Sequence, residues 1–214
     1  MDICQHPEAM ALHGFTSAIG TNLGELVPLF TFAKTTVHAD ILATPLEQYS
    51  DTYIGYQPDW NDKEFNKVLW RGSTTGVEFA HNVDWQLSQR ARLHFMSHET
   101  EGSRTVLYAG ADGRPREAEY PTKTLNDVYL DASFAGSPVQ CDPETCELMS
   151  EIIDFAGLMG LEDSYEYKYL IDVDGNGWSG RFHRLMSTKS CVIKTSIFPG
   201  PSFDLVFTLK ADDA

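Results

Sequence analysis

The chain has 214 residues, 42% of them hydrophobic and 12% aromatic, enough apolar material for one sizeable core or two modest lobes. Its 16 Lys and Arg against 31 Asp and Glu give a formal net charge of -15, which repels polyanions such as nucleic acid and leaves anionic ligands only where the few cations are focused. No run of roughly 20 apolar residues could span a bilayer, and the start Met1-Asp2-Ile3-Cys4 has neither the basic nor the apolar region of a secretory signal, so the chain as given reads as soluble.

Scattered Gly and Pro mark residues 1–45, where the apolar run Leu26 to Phe32 is expected to be a buried strand entering a polar loop at Lys34-Thr35-Thr36. Asp51 to Lys67, aromatic and polar with Pro58, reads as a loop. Lys67 to Trp70 reads as a short strand, followed by the Gly/Ser loop Arg71-Gly72-Ser73-Thr74-Thr75-Gly76, with Thr75 a candidate helix N-cap. A helix is expected from about Asp84 to His98, with Leu87, Ala91 and Phe95 along one face.

Thr105 to Ala109 and Val128 to Phe134 are expected strands, with the turn Asp112-Gly113-Arg114-Pro115 between them. Cys141 and Cys146 bracket Asp-Pro-Glu-Thr; the spacing permits a small disulfide loop but lacks the second pair of a structural zinc site. Pro143 to Phe155 reads as a helix with Leu148, Ile152 and Phe155 on its apolar face and Glu144 placed favourably in its first turn.

The last unit is a strand from Tyr167 to Val173, a Gly-rich turn from Asp174 to Ser179, a helix from Gly180 to Thr188 and a strand from Cys191 to Ile197. Strand, helix and strand within about 30 residues form a βαβ unit, which requires parallel pairing through a right-handed crossover. The class is therefore α/β.

Three chemistries compete for the Gly-rich turn. Gly175, Gly177 and Gly180 spell the dinucleotide fingerprint in the correct strand-to-helix setting, but residues 195–203, where the ribose-binding acid belongs, hold none. Asp172, Asp174 and Asn176 with Gly177 imitate half of an EF-hand loop, yet the closing bidentate position is His183. The third is a phosphate cradle of backbone N–H groups completed by Arg181, whose bland alternative is a tight turn with a solvated Arg. The Arg71 to Gly76 loop supplies a second Arg with hydroxyls after a strand, without the Lys of a P-loop. Two such loops in an acidic chain raise the expectation of a shared anionic ligand. His13, His38 and His183 are assigned no role.

Leu69-Trp70-Arg71-Gly72-Ser73-Thr74-Thr75-Gly76 and the segment Tyr167 to Phe182 (YKYLIDVDGNGWSGRF), with Pro28 to Lys34 and His38 to Leu42 ahead of them, resemble glycosyltransferase family 90, the fungal capsule-associated and Rumi-like protein O-glucosyltransferases. The matches keep their order from about residue 26 to 198. The resemblance implies a GT-B-like fold with Rossmann-type βαβ units, incomplete at both ends. Residues 1–198 would be a partial transferase domain, 165–198 its donor-binding unit, and 199–214 a divergent tail.

It further implies inverting transfer of xylose or glucose from UDP-xylose or UDP-glucose to a glycan or glycoprotein hydroxyl, in the Golgi or ER lumen, with no cofactor and no metal. The non-catalytic alternative is a nucleotide-sugar or glycan-binding remnant. Arg71, Gly72, Ser73, Thr74, Gly175, Gly177, Ser179 and Arg181 match the donor-binding positions. The catalytic base is expected outside the chain, with Asp2 and Asp40 as weak candidates, and the pair Asp172 and Asp174 is not expected to bind metal.

Overall fold

A computed structural model describes residues 5–14, 28–34, 39–43, 45 and 54–196. Its centre is a four-stranded parallel sheet of β3 (Phe65–Gly72), β6 (Leu130–Phe134), β7 (Tyr167–Val173) and β8 (Cys191–Thr195), in the order β6-β3-β7-β8. Two small sheets lie outside it: the parallel pair β1 (Phe30–Thr31) and β2 (Ile41–Leu42), and the antiparallel hairpin of β4 (Ser103–Ala109) and β5 (Pro115–Pro121). The helices are α1 (Gln89–His98), α2 (Thr122–Tyr129), α3 (Pro143–Ile152), the single turn α4 (Leu161–Ser164) and α5 (Phe182–Met186).

Consecutive residues of a strand point to opposite faces, so burial of both Leu69 and Trp70 means that β3 is covered on both sides. On one face Trp70, Ala132, Phe134 and Val173 pack against Ala91 and Leu93 of α1 and Met149 of α3. On the other, Leu69, Tyr167 and Leu170 pack against Leu185 of α5. The protein is thus a mixed α/β structure with helices on both faces of a parallel sheet, an arrangement compatible with a Rossmann-like fold.

The βαβ unit forms as expected, with β7 matching its sequence bounds and pairing in parallel with β8. Cys141 and Cys146 form a disulfide. Several local expectations are corrected. Phe30 is 70% exposed and the flanking Leu29 and Phe32 are also exposed, so this run is not a buried strand; Leu26 and Val27 lie outside the described residues. β3 begins at Phe65, inside the expected loop.

The helix expected from Asp84 begins at Gln89, after a separate 3-10 turn at Trp85–Leu87 that leaves Leu87 exposed. Its N-cap is Ser88, whose hydroxyl accepts from the Ala91 N–H, and not Thr75. Residues 128 and 129 end α2 rather than open β6, and β5 and α2 both lie where only a turn had been expected. α3 starts where predicted, with Asp142 as N-cap and Pro143 behind it, but buries Met149 and Ile153 while Leu148 and Ile152 are exposed. α5 spans only Phe182–Met186, leaving Arg181 at its N-cap.

Candidate functional site

Strand order creates the site. From β3 the chain travels outward to β6, whereas from the adjacent β7 it travels the other way to β8. Neighbouring strands whose connections diverge leave a crevice at their carboxyl ends, the usual ligand position in open α/β sheets. A cleft of about 440 Å³ opens there, walled by Arg71, Gly72, Ser73 and Thr75 after β3 and by Trp178, Ser179, Gly180 and Arg181 after β7.

Buried carboxylates shape the β7 wall. Asp172 is 0% and Asp174 1% exposed. Asp172 accepts from Lys194 Nζ at 2.7 Å and from the Ser179 hydroxyl. Asp174 accepts from Ser196 Oγ at 2.7 Å and from Lys194 Nζ at 3.3 Å. Lys194 is shared between the two carboxylates, which Ser179 and Ser196 also hydrogen-bond, so both help to hold the turn. Among the described residues no cluster of three His, Cys, Asp or Glu is placed to hold a metal. Gly177 has φ +121°, a conformation that favours glycine, and its N–H donates to Gly175 O at 2.9 Å.

Asn176 ties the two loops together. Its Oδ1 accepts from Gly76 N at 2.8 Å, and its amide pairs reciprocally with that of Gln140 at 2.6 and 3.0 Å. Next to Gln140, Val139 is gripped by the Thr74 hydroxyl, which accepts from Val139 N at 2.7 Å and donates to Val139 O at 2.6 Å. Buried His13 adds a bond from Nε2 to Gly175 O at 2.5 Å, which requires the proton on Nε2, and burial lowers its pKa.

Three guanidinium groups meet the cleft in different states. Arg71 turns away to Asp131, with Nη2 2.6 Å from Oδ1 and Nη1 2.8 Å from the Asp131 carbonyl. Arg181 donates Nη1 to Arg71 O at 2.5 Å, while its buried Nη2 has no hydrogen-bond partner among the described residues. Arg90, only 8% exposed, donates Nε to Asp174 O at 2.8 Å and Nη1 to Ser73 O and Thr75 Oγ1 at 2.8 and 2.7 Å. Burial, then the charge of Arg181, pulls its pKa down to about 10. Burial also lowers that of Arg181. Neither Arg90 nor Arg181 forms an ion pair with a carboxylate among the described residues; Asp172 attracts both at longer range and Asp174 attracts Arg90, which offsets part of the cost of burying them.

Of the residues singled out by sequence, Arg71, Gly72, Ser73, Ser179 and Arg181 line this cleft. Thr74 is fully buried, holding Val139, while Gly175 and Gly177 shape the turn behind the wall. Gly72 has a packing reason as well: a Cβ there would lie 2.6 Å from the Trp70 ring. Asp40 follows the same small unit as β1, where its carbonyl accepts from Lys34 Nζ at 2.8 Å, and does not line the cleft; Asp2 lies outside the described residues.

Sequence reasoning missed Arg90 and Trp178. The signal for Arg90 was available: it falls on the buried stripe of α1 beside Ala91, Leu93 and His94, where an Arg is out of place unless it has a task. No helix of the described residues is long and apolar enough to cross a membrane. No family model matches the chain, and no curated protein or solved structure matches it.

Proposed function

We propose that this chain is the donor-binding part of an inverting glycosyltransferase of GT-B-like architecture, transferring xylose or glucose from a UDP-sugar to a glycan or protein hydroxyl. The observation that carries this reading is the half-buried Arg181 guanidinium at the divergence of β3 and β7, in no ion pair with a carboxylate among the described residues and with its buried Nη2 unpaired. A diphosphate leaving group gains negative charge as the glycosidic bond to the donor breaks, and cationic donors fixed in advance stabilise that charge more than the ground state. Of the residues quoted for the family resemblance, Arg71, Gly72, Ser73, Thr75, Trp178, Ser179, Gly180 and Arg181 wall the cleft, which favours a nucleotide sugar over other anions. The Golgi or ER lumen is the proposed setting, and the Cys141–Cys146 disulfide suits an oxidising compartment.

A carboxylate base must deprotonate the acceptor hydroxyl. Among the described residues no Asp or Glu lines the cleft, an observation that favours the second reading, a nucleotide-sugar or glycan-binding remnant that keeps the cradle without the base. A donor-hydrolysis and transfer assay beside a UDP-binding titration separates the two. Under the first reading Arg181→Ala lowers UDP-sugar turnover on the order of a hundredfold or more in a folded protein. Unchanged turnover in that variant removes the transferase assignment, and UDP binding without hydrolysis or transfer in the parent chain selects the remnant.

A further inference from the structure

We infer that this chain pairs with a second copy of itself through the outer edge of β4, the two strands running antiparallel about a two-fold axis at Val106. The surface is separate from the cleft, which no residue of β4 or β5 lines.

The β4–β5 hairpin stands outside the central sheet, and each of its strands pairs only with the other, so each has one open edge among the described residues. The ends of the ladder fix which backbone groups face outward. Gly110 N donates to Arg114 O at 2.8 Å and Thr122 N to Gly102 O at 3.0 Å. Bonded and non-bonded pairs alternate along an antiparallel ladder, so Arg104, Val106 and Tyr108 turn their N–H and C=O groups toward β5. Ser103, Thr105, Leu107 and Ala109 turn theirs outward, where none has a backbone partner among the described residues.

The two open edges differ in chemistry. By the same alternation the outward positions of β5 are Pro115, Glu117, Glu119 and Pro121. Proline has no N–H to offer, and a copy of β5 laid antiparallel about Ala118 would set Glu117 opposite Glu119 of the second copy, like charge against like. That edge is guarded. β4 carries no proline, lysine or bulge, the usual guards of an edge, and its centre is Thr-Val-Leu-Tyr, residues suited to strands.

Self-complementarity selects the second copy as the occupant. About Val106, Thr105 faces Leu107 of the second copy and Ser103 faces its Ala109, so all four outward residues find bonding partners; any shift of register leaves at least one unpaired. Arg104, already ion-paired with Glu99, faces Tyr108 of the second copy, so no charge meets its like. Leu107, 72% exposed in the single chain, gains cover from the Thr105 methyl. The contact is isologous and closes on itself, and main-chain bonds along the edge supply its affinity.

Sedimentation equilibrium tests this. At about 100 µM the full chain should approach twice its 24.0 kDa monomer mass, with a dissociation constant on the order of 10 µM, as suits a small interface. Thr105→Lys combined with Leu107→Lys puts like charges at both facing positions, and Thr105→Glu combined with Leu107→Glu does the same with the opposite sign. Both residues are exposed, so neither pair of changes disturbs the core. Each double variant should dimerise at least about tenfold more weakly, and an equimolar mixture of the two should recover a dimer holding one chain of each. Thr105→Pro removes an outward donor that β5 does not use and should weaken the dimer by a similar factor with the hairpin intact.

A monomeric parent chain at that concentration would overturn the inference, the more directly if hydrogen exchange showed the Thr105 and Leu107 amides protected by another part of the same chain. Undiminished dimers in both double variants would place the contact elsewhere and overturn it, as would a mixture that stays monomeric. None of these results bears on the cleft, so the proposed function stands or falls separately.

Discussion

Lys194 on β8 places its Nζ 2.7 Å from the carboxylate of Asp172 on β7, and the Asp172 side chain has no exposed surface. The two residues are register partners across the parallel pair, so the ion pair sits directly beneath the Gly-rich turn. A charge removed from water is tolerated only with a partner, and removing that partner costs far more than the pair contributes as a unit.

Lys194→Met should therefore destabilise the fold by roughly 3 to 5 kcal/mol, with Ser179 left as the one hydrogen bond to Asp172. Adding Asp172→Asn to the same chain should recover a large part of the loss. Urea unfolding of the two variants checks both statements; equal stability of the single and double variants would refute the account.

The ring of His94 is 2% exposed on α1, and burial, followed by the neighbouring His98, lowers its pKa to about 4. The unfolded chain protonates this residue near its ordinary value of 6.5. Between those values the unfolded state takes up a proton that the folded state refuses, so stability falls as pH falls and this contribution levels off below about pH 4. At about 1.4 kcal/mol per unit of pKa difference, the loss from this group between pH 7 and pH 5 is about 2 kcal/mol. His13, also lowered by burial, acts in the same direction. Urea midpoints at the two pH values measure the combined slope, and His94→Gln should flatten it.

Helix α3 separates the buried from the exposed face by a single residue. Met149 is 0% exposed and Leu148 43%. Met149→Ala should cost about 2 to 5 kcal/mol through lost transfer energy and a residual cavity. Leu148→Ala should change stability by less than about 0.5 kcal/mol. Chemical denaturation of the pair is sufficient, and a cost for Leu148 equal to that for Met149 would contradict the packing described.

The same one-residue difference explains where sequence reasoning slipped. Apolar spacing in Leu148, Ile152 and Phe155 is a valid helical stripe, but Met149 and Ile153 form another that is equally apolar, and a single helix gives no reason to choose between them. Only the sheet face opposite, with Trp70, Phe134 and Val173, makes the choice. Val128 and Tyr129 were drawn into a strand because β-branched and aromatic residues suit strands; in the fold they finish α2 with half of their surface in water.

What the sequence determined by itself was local. The strand Tyr167 to Val173, the turn after it and the parallel return at Cys191 follow from a short apolar run, clustered glycines and a helix-bearing connection long enough for a crossover. That the turn is a Gly turn, and that Arg71 and Arg181 stand beside two such turns, was legible for the same reason: backbone conformation at Gly is a property of a few adjacent residues. Strand order was not, since placing β3 beside β7 with connections that diverge depends on contacts about a hundred residues apart. From that order come the cleft, the inward position of Arg90 and the diversion of Arg71 to Asp131. Which arginine is ion-paired and which is not is a long-range electrostatic outcome, and the tertiary structure alone decided it.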